Sequence, residues 1–185
     1  YIQKTGLFKQ YLYNANDTNS ISSNYIYGLS LDAQGNILAN TASALNIINP
    51  KTLAIKKVVN PKAISNEISD EGRPVLQTRD GYIWIGTESG LARFDGLRFT
   101  TFPEMKSQPH SDNIISALYE DQDGTLWIGH SYGLTRYRKG RFEAIPEIQT
   151  AVTAIASGAH GRLWIACPSG SVWRFEKGAF VRLQA

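Results

Sequence analysis

Short apolar runs separated by glycine-bearing turns extend along the whole chain. One stretch shows the scheme. Ile114-Ile115-Ser116-Ala117-Leu118-Tyr119 reads as a strand and Asp121-Gln122-Asp123-Gly124 as a tight turn. Leu126-Trp127-Ile128 is a second strand and Leu134-Thr135-Arg136-Tyr137, after Gly133, a third. Lys139-Gly140 turns the chain again into a fourth strand, Arg141-Phe142-Glu143-Ala144-Ile145. Asp supplies local hydrogen bonds to a reversal and Gly supplies its unusual φ, which is why these residues punctuate strands. Four short antiparallel strands in this order make one blade of a β-propeller. A short helical turn is expected only within 60–72.

The scheme is repeated. Gly81-Tyr82-Ile83-Trp84-Ile85-Gly86 returns as Gly124-Thr125-Leu126-Trp127-Ile128-Gly129, then as Gly161-Arg162-Leu163-Trp164-Ile165-Ala166. A worn copy is Gly35-Asn36-Ile37-Leu38-Ala39-Asn40. The leading glycines lie 46, 43 and 37 residues apart (35, 81, 124, 161), a period that fits propeller blades. The expected fold class is all-β, with about four four-stranded antiparallel blades near 25–59, 74–102, 114–145 and 152–183. Residues 1–24 are expected to hold the end of a preceding blade plus a linker, because Gly6-Leu7-Phe8-Lys9-Gln10-Tyr11 resembles a blade's third strand. Four blades rarely close a ring, so the sequence reads as a fragment of a seven- or eight-bladed propeller. Its starting residue, Tyr1, fits an excised segment. Open blade edges make a homodimer through those edges a natural expectation.

The register is closely kept. The Trp position is 15 residues before the next apolar anchor in three copies (Leu38 to Leu53, Trp84 to Phe99, Trp127 to Phe142) and 16 in the fourth (Trp164 to Phe180). A one-residue slip would turn every core side chain outward. The extra residue of copy four is therefore expected in a loop or bulge near Gly170-Ser171. Trp84, Trp127 and Trp164 are expected to fill the space between adjacent sheets; a sugar platform is the alternative for such a row.

Composition narrows the partners. The chain has 185 residues, 42% hydrophobic and 19% charged, enough for a sizeable core. A net charge of +3 with scattered basic residues gives no footprint for nucleic acid. No run of 18 apolar residues is present, so no membrane insertion of this segment is expected. Cys167 is the single cysteine, which excludes an internal disulfide and a Cys-based metal site.

Ile83-Trp84-Ile85-Gly86-Thr87-Glu88-Ser89-Gly90-Leu91-Ala92-Arg93-Phe94 is similar to the two-component regulator propeller repeat, whose pattern runs Leu-Trp-Ile-Gly-Thr, Gly-Leu, Arg-aromatic. Leu126 to Tyr137 matches nearly as well, and Ser111 to Asp121 resembles the family's first strand. Copy four departs at Ala166, Cys167 and Ser171. The resemblance implies the periplasmic sensor region of a membrane-bound signalling protein, with a histidine kinase or diguanylate cyclase as output elsewhere.

Strand alternation sorts the connections into two rims. Turns after first and third strands are short and uniform and read as structural. Loops after second and fourth strands vary, and variable loops on a rigid scaffold are where recognition is usually built. Glu88, His110, His130, Tyr132 and Ser169 on that rim are the candidate ligand-binding residues, for a small molecule, a carbohydrate or a protein partner. No cofactor and no metal are expected. Asp121-Gln122-Asp123-Gly124 resembles the start of a calcium loop, but the twelfth position, where a bidentate Glu is required, is Tyr132. His110, His130 and His160 lie in separate segments, so zinc convergence is not expected. Cys167 with His130 is a conceivable nucleophile–base pair, and lyases of the streptogramin type share the architecture. The leading reading is a non-catalytic sensor; an interaction scaffold and a propeller lyase are the alternatives.

Overall fold

A computed structural model describes residues 10–59, 73–87, 90–102, 114–158, 161–168 and 170–183. Four four-stranded antiparallel sheets follow one another along the chain. The first blade is β1 (Ile26–Leu31), β2 (Ile37–Thr41), β3 (Leu45–Ile48) and β4 (Ile55–Val58); the second is β5 (Val75–Gln77), β6 (Ile83–Thr87), β7 (Gly90–Phe94) and β8 (Phe99–Phe102). The third is β9 (Ile115–Glu120), β10 (Leu126–His130), β11 (Gly133–Arg138) and β12 (Arg141–Ala144); the fourth is β13 (Ala154–Ser157), β14 (Leu163–Ala166), β15 (Val172–Glu176) and β16 (Ala179–Leu183). No α-helix occurs among the described residues. The expected helical turn within 60–72 and the strand at Gly6–Lys9 lie outside them.

Each of the first three blades buries a forward face against the backward face of the next. Trp84, Leu91 and Phe102 of blade two pack with Ile115, Leu126, Ile128 and Tyr137 of blade three. Trp127, Leu134 and Ile145 of blade three pack with Leu163, Ile165 and Phe175 of blade four. Leu38 and Leu45 of blade one meet Val75, Ile83, Ile85 and Phe94 of blade two. The two central tryptophans are 1% and 2% exposed. Trp84 lies 4.9 Å from the Tyr137 ring and Trp127 5.1 Å from Phe175, centroid to centroid. Their indole N–H groups are satisfied within their own blade, donating to Thr78 Oγ1 at 3.2 Å and Asp121 Oδ2 at 2.8 Å.

Trp164 departs from the expected core role. It holds the same register position, pairing with Arg174 as Trp127 pairs with Arg136. It is only half-buried, because a tryptophan here is sealed by the blade that follows and no described element follows blade four. At the other end, Tyr11 and Ile21 cover the outer part of blade one's backward face, packing with Ile37, Ala39, Ile48 and Ile55. Leu29 and Leu31 on the inner strand remain 64% and 65% exposed.

Two register details differ in their fit to the sequence. In blade four, Ala166 pairs with Val172 and the Cys167 amide donates to Ser171 O. That leaves residues 168–170 as a three-residue loop, with Gly170 at φ +74°, where blade three has only Ser131 and Tyr132 between His130 and Gly133. The extra residue is thus in this loop, as the spacing implied; a left-handed third residue is the usual solution. In blade one, the anchor facing Ile48 is Ile55, not Leu53. Leu53 sits in the turn at φ +63°, its amide donating to Asn49 O. The β3–β4 turn is longer than its counterparts, so equal spacing to Leu53 was coincidental.

Candidate functional site

On the rim formed by the β2–β3-type loops, one position recurs at the base of every blade. Tyr27, Arg73, Ser116 and Thr153 each lie eleven residues before the Trp position (38−27, 84−73, 127−116 and 164−153). In blades one and three this residue falls at a break in the inner ladder. The register shifts between Ile26 and Gly28, and between Gly129 and His130. A bulge adds an unpaired residue and re-aims its side chain.

The four side chains differ greatly in size, and the spaces at the first and third junctions differ as well. Between blades one and two the buried Arg73 stacks over the Tyr27 ring at 4.3 Å. The cavity left there, against Asn40, Thr41, Ser43 and Thr87, is about 30 Å³, room for one water-sized group. Between blades three and four the counterpart of Arg73 is Thr153. Beside it lies a groove of about 470 Å³ lined by Ile114, Ser116, Ser131, Val152, Thr153 and Pro168, among others. That is within the size range of small-molecule sites. Its walls mix apolar groups with hydroxyls. Two of the hydroxyls are held from behind, Ser116 Oγ donating to Val152 O and Thr153 Oγ1 to Ala166 O at 3.1 Å.

Of the residues singled out in the sequence, His130 and Tyr132 are described. They flank Ser131 at the groove's edge. Tyr132 is 44% exposed and available to a ligand. His130 is buried at the end of β10. The Tyr132 amide donates to its Nδ1 at 3.3 Å, so Nε2 carries the proton and donates to Thr135 Oγ1 at 3.1 Å. Burial pushes its pKa down to about 4, so the ring is neutral and acts as a structural brace for the loop. Glu88, His110 and Ser169 lie outside the described residues, as does His160.

The Cys167–His130 pair gives no activated nucleophile. The Cys167 thiol is buried in the junction between blades three and four, and burial raises its pKa; both ring nitrogens of His130 are committed elsewhere. A thiolate needs a lowered pKa and a partner base. Among the described residues no group of three or more His, Cys, Asp or Glu side chains is placed to hold a metal. The Asp121 carboxylate serves the turn itself, accepting from the amides of Asp123 and Thr125, both at 2.9 Å, and from Trp127 Nε1.

Sequence reasoning missed Arg73, Ser116 and Thr153. The signal was the fixed eleven-residue offset from the Trp position, at which the residue type changes from blade to blade.

Comparison with known proteins places these features. The extracellular domain of the putative hybrid two-component system BT3049 from B. thetaiotaomicron superposes with a TM-score of 0.75 at 20% identity, over 98% of this chain and 25% of that one. Virginiamycin B lyase from Staphylococcus aureus gives 0.67 at 16% identity, over 87% of this chain and 56% of the lyase. PorZ of Porphyromonas gingivalis, a surface component of the type-IX secretion system, gives 0.61 at 13% identity, over 90% and 28%. At these identities the likeness is one of fold. The chain spans between a quarter and a little over half of the length of these structures. No match was found among curated protein sequences. Residues 109–132, which run through the first strand and Asp-turn of blade three to the edge of the groove, match the model of the two component regulator propeller family. The match to the two-component regulator propeller repeat is thus carried by residues 109–132, within a fold of four four-stranded antiparallel blades.

Proposed function

We propose that this chain is a non-catalytic sensing segment of an extracytoplasmic propeller in a bacterial membrane-bound signalling protein, and that it binds a small molecule in the loop-rim groove between blades three and four. The observation that carries the reading is the size change at one repeated position. Arg73 fills the rim space at the first junction, whereas Thr153 leaves about 470 Å³ open at the third. The groove's hydroxyls and exposed Tyr132 suit a polar ligand such as a carbohydrate. The repeat family and the fold shared with an extracellular two-component domain support the location and the signalling role. Ligand binding would act by favouring one packing of neighbouring blades over another, by no more than its difference in affinity for the two.

A catalytic reading finds less support: the buried, neutral His130 and the protonated Cys167 provide neither a poised base nor a nucleophile. A screen of small sugars and polar metabolites by amide chemical-shift mapping tests the proposal. Perturbations centred on Ser116, Ser131 and Thr153 are expected. Ligands that map only to other surfaces would refute it.

A further inference from the structure

The opposite rim, formed by the tight turns, is not uniform either. A repeated latch joins neighbouring blades there. At the first junction the Ala33 amide, second in its turn, donates to Gln77 Oε1 of the next blade at 2.7 Å. At the second junction the Arg79 amide donates to the Glu120 carboxylate, 3.0 Å to Oε2. The Arg79 guanidinium also reaches the carbonyls of Asp121 and Gln122. Gln77 and Glu120 hold the same register position, opposite Ile83 and Leu126.

At the third junction the corresponding amide belongs to Gln122, and the corresponding acceptor position, opposite Leu163, is Ser157. A serine is too short to latch. Among the described residues no group accepts from the Gln122 N–H. In the place of the latch lies a cleft of about 480 Å³. Its lining includes the aromatic Tyr119 and Phe175 and the basic Arg162 and Lys177. The carboxylates nearby are already engaged: Asp121 accepts from three N–H groups, and Glu176 is paired with Arg162 at 3.1 Å and with Arg174 at 3.5 Å. Asp123, which also lines the cleft, is exposed.

We propose that this cleft binds a small carboxylate-bearing ligand, whose carboxylate accepts from the Gln122 N–H as Glu120 accepts from the Arg79 N–H one junction earlier. The site is independent of the loop-rim groove and stands on a separate observation. Oriented backbone N–H groups in turns are suitable anion donors, and a charge-assisted bond of this kind is stronger than a neutral one.

Glutarate, which carries a carboxylate on a short methylene chain as Glu120 does, is the probe. In titrations followed by amide NMR, the Gln122 resonance is expected to move saturably with glutarate and to stay in place with sodium chloride at equal ionic strength. Ser157→Glu restores the latch within the chain, so its Gln122 amide should start at the bound position and no longer respond. Ser157 is exposed, and Ser157→Gln, which copies Gln77, provides the same test should the glutamate variant fold poorly. A Gln122 amide that ignores glutarate, that moves equally with chloride, or that titrates unchanged in both Ser157 variants overturns the proposal.

Discussion

A Cβ placed on Gly129 would stand 2.6 Å from Cγ1 of Val152 in the next blade. The glycine that ends the Leu-Trp-Ile-Gly phrase is therefore a product of blade packing. Gly86 is similar, with Pro74 Cδ at 2.8 Å and Ile115 O at 3.0 Å from its would-be Cβ. Where the repeat lacks glycine, the reason is visible. Asn40 in blade one sends its amide into the junction, donating to Arg73 O at 3.1 Å and Gly86 O at 3.3 Å. Ala166 in blade four has no described blade in front of it.

Gly129→Ala should accordingly destabilise the fold by about 1–3 kcal/mol, the range for overpacking a tight core. Ala166→Gly should cost no more than about 1 kcal/mol, from backbone entropy alone. Urea unfolding of both variants measures the contrast. Equal costs would contradict the account of the glycine.

The tryptophan row gives a second contrast. Trp127→Ala removes a ring that is 2% exposed and touches Phe175 and Phe180 of blade four, and should cost about 3–5 kcal/mol. Trp164→Ala in this 185-residue chain removes a half-buried ring with no described blade in front of it and should cost less than about 1.5 kcal/mol. Comparable losses would mean that the Trp164 face is covered in solution, as a dimer through that face would cover it.

Much of this was legible in the sequence, and the misses have physical causes. Gly-turn and Trp spacing fixed the strands because side-chain alternation tolerates no slip, and the added residue of blade four fell in the 168–170 loop as the count required. Leu53 misled because an apolar residue at the right distance looks like an anchor, whereas Asn49 and the left-handed Leu53 lengthen that turn. Trp164 misled because a repeat shows what a side chain is shaped to pack against, while burial depends on the neighbour. The groove was hidden for a different reason. Thr153 and Arg73 precede their assigned strands, where no alternation pattern marks them, and only position-by-position alignment of the copies exposes the size change.

The pH dependence of stability carries the mark of His130. Its folded pKa, about 4, lies below the ordinary 6.5, so between those values the unfolded chain binds the extra proton. The neutral ring's contribution is complete above about pH 6.5 and is lost as pH falls towards 4, a change of up to about 3 kcal/mol. His130→Thr, which installs the residue that blades one and two use at this position (Thr41 and Thr87), should flatten the curve in that window. An unchanged difference between wild type and variant from pH 7 to pH 4 would show that the ring is not buried neutral.

The turn-rim latch also has a measurable share. Glu120→Ala removes the acceptor of the Arg79 amide and the partner of its guanidinium, 3.3 Å from Nε to Oε2. A loss of about 1.5–3 kcal/mol is expected for hydrogen bonds to a charged group, with the partly exposed arginine placing the value near the lower end. Glu120→Gln, which copies Gln77, should recover most of it in thermal unfolding.

The loop-rim groove is tested most directly by Thr153→Arg. That substitution gives the third junction the residue that closes the first. A ligand found in the screen should raise the melting temperature of the wild type by roughly 5–10 °C at a hundredfold excess over its Kd. The arginine variant should keep its own melting temperature in the presence of the same ligand. An equal rise in both proteins would place the ligand elsewhere and contradict the assignment of recognition to this groove.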